Sequence, residues 1–395
     1  MKTYKVLNIN GALLDKNQLE KYLEKVATNH NLKLKSDKDT YPVPSSKETY
    51  PIPQLLENFE FIKSVYNLLN SHLKLGISTH PAGEWLLDNF YIIEETVKSI
   101  QKELTLKKYT NFLGIQNGYN KGFARVYVVA SEIVAYTDGK IEKEDLEKYL
   151  KAYQTKKNLS MDEIWNIGIF LEIAIIEKIR EICERIYVSQ IQKYKVENIV
   201  ERLVEIKDKN EIVFKSKNTL KDNGNVFKDM KYPFIEYMSY VLKRYGKKAN
   251  SYLKVLEEEV EKTGTTVSEV IKKEHFDIAV RKVSIGNCIT SLKTILRINF
   301  LEIFENINGV EEILKKDPAN VYDKMDQKTK EYYRNKIKEI SNDTKVSEIY
   351  IAKKILEICK NKTNEKERHI GYYLIDKGIN ELYNKLGYKS KKKLD

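Results

Sequence analysis

The sequence predicts an all-α fold, a multi-helix bundle of packed helical hairpins, and three observations carry that expectation. Segment after segment repeats its apolar residues at helical period, as in PFIEYMSYVLKRYG, NSYLKVLEEEVEKTG and EVIKKEHFDIAVRK. No stretch sustains strand alternation beyond a weak hint in EIVFK, and no glycine-rich phosphate cradle follows a strand. No period recurs that would demand a solenoid. With 395 residues, 42% of them apolar and 32% charged, the chain can bury a core large enough for two helical subdomains.

Taken in order, the chain divides into 1–69, 70–206, 207–232 and 233–395. The opening part holds a candidate helix from Asp15 to Asn29. A strap follows in which Pro42, Pro44, Pro51 and Pro53 lack backbone donors and disfavour regular structure. Helical patterning takes over from Leu55. Pro81 suits a first helical turn, and in the segment it opens Trp85, Leu86, Phe90, Ile92, Ile93, Val97 and Ile100 share one face while Asp88, Tyr91, Glu95 and Lys98 share the other. Asn89 falls inside the apolar stripe, where a buried amide needs partners and so either fixes helix register or faces a ligand.

In GFARVYVVASEIVAYTDGK, Phe123, Val126, Tyr127, Ala130, Ile133 and Val134 keep helical spacing, and Gly139 stands where the helix stops. TDGKIEKED has the outline of a calcium loop, but with Gly139 at the turn the first and third ligands would be Val134 and Tyr136, which bind no calcium. SMDEIW reads as a capped start for a long apolar helix over 162–190. Its run from Ile167 to Ile176 is broken by Glu172 and is too short to cross a bilayer. The polar stretch 207–232, with its Asn223-Gly224 turn signal, is a connection or boundary. Beyond it, Asp317 before Pro318, Asp326 and Ser347 all read as helix N-caps.

The function classes narrow by elimination. The balance of 69 basic to 57 acidic residues, a formal +12, makes an anionic partner conceivable, but no nucleic-acid motif accompanies it. Cys183, Cys288 and Cys359 lie far apart in apolar settings and read as buried thiols. The five histidines never pair at metal-ligand spacing. No apolar leader follows the first residues, so no signal peptide is expected. There is no acidic cluster of DxD type in a strand-and-loop setting, and Asp88 with Glu95, two turns apart, read as solvated acids rather than a hydrolytic pair. His369, Tyr372, Tyr373 and Asp376 in HIGYYLID place His369 beside Tyr373 and Tyr372 beside Asp376 at helical spacing, as aromatic packing or as a sugar-stacking surface.

Several blocks also resemble a known family. DPANVYDKMDQKTKEYYR, KVSEIYIAKKILEI and HIGYYLIDKGINELYNKLGY are similar to the segment that precedes the first membrane spans of the cyclic β-1,2-glucan synthases, very large bacterial membrane glycosyltransferases. EWLLDNFYIIEETVKSI resembles their tryptophan, Asp-Asn-Phe and Glu-Gln motif, with Thr96 in place of the glutamine. ARVYVVASEIVAYTDGKI, LKAYQTKKNLSMDEIWNI and VSIGNCITSLKTILRINFLEIFE resemble further blocks, in family order, over roughly residues 70 to 390. The resemblance implies that Asp88, Asn89, Glu94, Glu95, Arg125, Tyr127, Asp317, Tyr322, Asp326, Arg334, His369, Tyr372, Tyr373 and Asp376 are motif contacts.

It also implies an N-terminal helical module at the cytoplasmic face of the bacterial inner membrane, which scaffolds or regulates a membrane-embedded transferase and holds neither cofactor nor metal itself. UDP-glucose would be the donor for catalytic regions outside this chain. Lys389, Lys391, Lys392 and Lys393 suit an anionic membrane surface or a solvated tail. The alternatives are a free-standing helical interaction module from a split or truncated gene, or a basic nucleic-acid binder.

Overall fold

The computed structural model describes residues 12–30, 45–207, 211–214 and 230–388. Among these the amphipathic segments form sixteen α-helices and one antiparallel hairpin, so the all-α expectation holds. Pro42, Pro44, the Asn223-Gly224 turn signal and the lysines from Lys389 onward lie outside the described residues.

The first half comprises α1 (Lys16–Asn29), α2 (Ile52–Lys74), α3 (Pro81–Glu103), α4 (Leu106–Tyr109), α5 (Arg125–Tyr136), α6 (Lys143–Gln154) and α7 (Met161–Leu203). Side chains set several of these starts. Asp15 and Gln18 form a capping box before α1, and Ser160 and Glu163 form another before α7. Helix α2 starts at Ile52, earlier than the pattern placed it, because Pro53 sits in a first turn where its missing N–H is no loss. Gly139 ends the α5 turn at φ +74, its N–H bonded to Val134 O at 2.9 Å. A Cβ there would stand 2.6 Å from Cys288 Sγ, so only glycine fits.

Helix α7 runs on to Leu203, well past the expected end, because Val196, Val200 and Leu203 keep its apolar stripe going. Its 43 residues make a column of about 65 Å. The hairpin of β1 (Val204–Lys207) and β2 (Glu211–Phe214) follows, which realises the strand hint in EIVFK. Then come α8 (Tyr232–Arg244), α9 (Asn250–Glu261) and α10 (Val267–Ile295). Helices α3 and α10 lie alongside in the same direction: His80 meets Arg281, Trp85 packs on Gly286 and Asn89 meets Lys293.

The last elements are α11 (Phe300–Ile307), α12 (Gly309–Leu314), α13 (Gln327–Thr344), α14 (Glu348–Lys360), α15 (Gly371–Ile375) and α16 (Ile379–Lys385). Two hydrophobic clusters organise the molecule. The larger runs from Leu19 on α1 through α7 to Leu386, so the first and last helices share one core. The smaller joins the far end of α7 to α8, α9 and the start of α10, around Phe234, Leu242 and Tyr252. All three cysteines are buried free thiols.

Candidate functional site

The motif residues gather into buried polar clusters, and the largest centres on Asp317. This aspartate caps no α-helix, contrary to the sequence expectation. Pro318 opens a turn, Asn320 takes φ +54, and a short 3-10 turn covers Tyr322–Lys324. Freed from capping, the carboxylate draws in donors from its own turn and from one distant segment. Oδ1 accepts from Ala319 N (3.4 Å) and Ile370 N (3.2 Å), and Oδ2 from Val321 N (3.3 Å), Tyr322 N (3.2 Å) and His369 Nδ1 (2.8 Å). Burial alone pushes this carboxyl up, but the His369 hydrogen bond and charge, with the Tyr322 and Ile370 N–H groups, hold it below its ordinary value.

With Nδ1 bonded to Asp317, the His369 ring sets Nε2 3.1 Å from the Tyr333 hydroxyl. The carboxylate, imidazole and hydroxyl are thus in line, as a nucleophile relay would require. Burial, together with the negative charge of Asp317, raises Tyr333 above its ordinary value, which opposes formation of a phenolate. The line therefore works as a clasp. Its close approach depends on Gly371, where a Cβ would lie 2.1 Å from the Tyr333 hydroxyl.

Beside it, Glu311 is 1% exposed and accepts from both Tyr322 Oη (2.8 Å) and Arg334 Nη1 (3.1 Å). The Arg334 guanidinium also lies over the Phe304 ring, 5.2 Å from its centre. Asp317, Tyr322 and Arg334 from one motif block and His369 from another thus share one cluster. Asp326 stays outside it and caps α13 as expected, accepting from Thr329 N at 3.0 Å.

His369 and Tyr373 are not helical neighbours, since α15 begins only at Gly371. Tyr373 is fully buried and its hydroxyl has no partner, so its ring offers no stacking surface. Tyr372 meets it edge-on, and Asp376 pairs with Lys366 at 3.3 Å instead of with Tyr372.

A second cluster ties α5, α6 and α7 to α1. Arg125 is 1% exposed. Its Nε donates to Glu163 Oε1 at 2.9 Å, and its Nη2 to Glu163 Oε2 and to Asn158 O. Tyr153 lies under the guanidinium and meets His30 Nδ1 through its hydroxyl at 2.8 Å. Burial, then Arg125 and Lys157, push His30 down to about 3, so the ring is neutral. Nearby, Glu348 accepts from Met161 N at 2.9 Å, and burial pushes its carboxyl up to about 7.

The Tyr127 hydroxyl donates to Glu177, whose second oxygen has no partner, and burial pushes Glu177 up to about 7. Asn89 donates to Trp85 O (2.9 Å) and accepts from Lys293 Nζ (2.8 Å), which pins α3 to α10. Asp88 and Glu95 are exposed, and Glu94 pairs with Lys98 on the same helix.

Sequence reasoning missed Glu311, Glu163 as an ion-pair partner, and Glu177. Their signal was an acid on an apolar face, which must find a partner or a proton when buried. Among the described residues no cluster of three or more His, Cys, Asp or Glu side chains is placed to hold a metal ion, and no helix is long and apolar enough to cross a membrane.

Fold and clusters together define the class: a helical module in which most motif side chains are engaged in holding its own segments together. No protein-family model matches the chain. It is similar to the cyclic beta-(1,2)-glucan synthase NdvB of Rhizobium meliloti (strain 1021), with 22% identity over 363 residues. That match covers 89% of this chain and 12% of the synthase, so the chain spans a small fraction of its relative. The resemblance drawn from the motif blocks is thereby borne out.

Proposed function

We propose that the chain is a cytoplasmic helical module of a cyclic β-1,2-glucan synthase, acting as scaffold or regulator for catalytic regions that use UDP-glucose and lie outside it. The observation that carries this reading is the extent of the match, nearly the whole of this chain against a small part of a synthase. The buried clusters support it, because Asp317, His369, Arg125 and Glu163 are engaged with one another rather than turned toward a substrate. The partner is the membrane-embedded transferase region, in the same polypeptide or as a separate chain. The lysines at 389–393 would meet an anionic lipid surface beside it.

The test is to delete the matched segment from a full synthase and measure the protein's level in membranes, its glucan yield and the ring size of the product. A loss of assembly or a change in ring size is expected. All three quantities unchanged would overturn the proposal.

A further inference from the structure

A cleft of about 520 Å³ opens where α7, the first turn of α8 and the middle of α10 meet. Its size falls within the roughly 300–1,000 Å³ range of small-ligand sites. Three cations, Arg185, Lys231 and Arg281, and three carboxylates, Glu184, Glu274 and Asp277, line it. Arg281 is fixed from three sides: Nη1 lies 3.1 Å from Glu274 Oε1 and 3.1 Å from His80 Nε2, and Nη2 lies 3.8 Å from Asp277 Oδ2. Glu274 is 2% exposed, so this part of the wall is built into the core and is in place before any ligand arrives.

The charges decide what such a wall can hold. The six charged lining residues balance, and Arg281 is already paired with Glu274, so net charge within the lining favours neither a phosphate nor a cation. Neutral hydroxyls are different, since guanidinium and ammonium groups donate to them and carboxylates accept from them. One wall of the cleft adds Tyr232, 38% exposed, with Lys273 Nζ 4.9 Å from its ring centre, and Pro233 beside it. A half-exposed aromatic ring beside paired donors and acceptors suits a pyranose, which has an apolar C–H face and a polar rim.

We infer that this cleft binds a neutral oligosaccharide of the β-linked glucan type. The inference rests on the glucan-synthesis reading and names what the module touches. Asp277 and Arg185 would hold hydroxyls, Tyr232 would stack against a ring face, and Glu274 with Arg281 would fix the floor.

Calorimetric titration of the whole chain with linear β-1,2-linked gluco-oligosaccharides tests this. Saturable binding is expected, weakened about tenfold by Tyr232→Ala and comparably by the shape-conserving Asp277→Asn, with both variants unfolding at the wild-type temperature. UDP and inorganic phosphate are expected not to compete. Absence of saturable binding, binding indifferent to both substitutions, or displacement by phosphate would each overturn the inference. A failed titration leaves the scaffold reading intact, because that reading stands or falls on assembly and ring size in the synthase.

Discussion

Asp317 and Glu177 show two ways in which a single buried acid is accommodated. Asp317 collects five donors and stays ionised, whereas Glu177 has one tyrosine hydroxyl and one bare oxygen, and burial raises its carboxyl from 4.5 to about 7. The sign of the pH dependence follows from linkage. The folded state of Glu177 holds its proton more tightly than the unfolded chain, so its stabilising contribution is fully present below about 4.5 and is lost as pH rises through about 7. Glu177→Gln removes that titration. Unfolding free energies measured from pH 4.5 to 8 should fall less steeply for the variant, by up to about 3 kcal/mol across the window. Parallel curves for variant and wild type would contradict this.

These residues also show where sequence reading worked and where it stopped. Asp326 was legible as a cap because capping is local, whereas Asp317-Pro318 gave the same local signal and a tertiary partner 52 residues away, His369, overrode it.

Among the elements, α7 carries the most and was read most incompletely. Its start was legible from SMDE, because a capping box needs only four residues. Its end was not, since the polar text after residue 190 hides Val196 and Val200, which join the apolar cluster shared with α8 and α9. Glu163 does two jobs at that start. It returns to the Ser160 N–H at 2.8 Å, and it is the carboxylate of the buried Arg125 pair.

Two variants separate these jobs. Ser160→Ala loses only the cap and should cost about 1 kcal/mol. Glu163→Ala leaves a buried guanidinium unpaired and should cost roughly 3–5 kcal/mol. Chemical denaturation of both variants checks the order, and equal losses would mean that Arg125 finds other partners. The α3–α10 pairing through Asn89 and Lys293 was half legible: an amide in an apolar stripe announces a need for partners, but its partner lies 204 residues away.

For the molecule as a whole, periodicity and the lack of strand alternation were enough to give the all-α class, because both are properties of the chain that packing amplifies. Which helices share a core was not legible. The main cluster closes the chain on itself, from Leu19 to Leu386, and this distant pairing leaves no trace in local pattern. The Asp317 cluster is part of that closure, joining the turn after α12 to α13 and to the loop before α15.

We propose that the buried motif residues hold the module together, and thermal unfolding of Asp317→Ala beside Asp88→Ala tests this. The buried site should lose about 3–5 kcal/mol, which for a chain of this size lowers the midpoint by roughly 4–6 °C. The exposed Asp88→Ala should melt with the wild type. If Asp317→Ala unfolds at the wild-type temperature, Asp317 is not a structural clasp and the account fails.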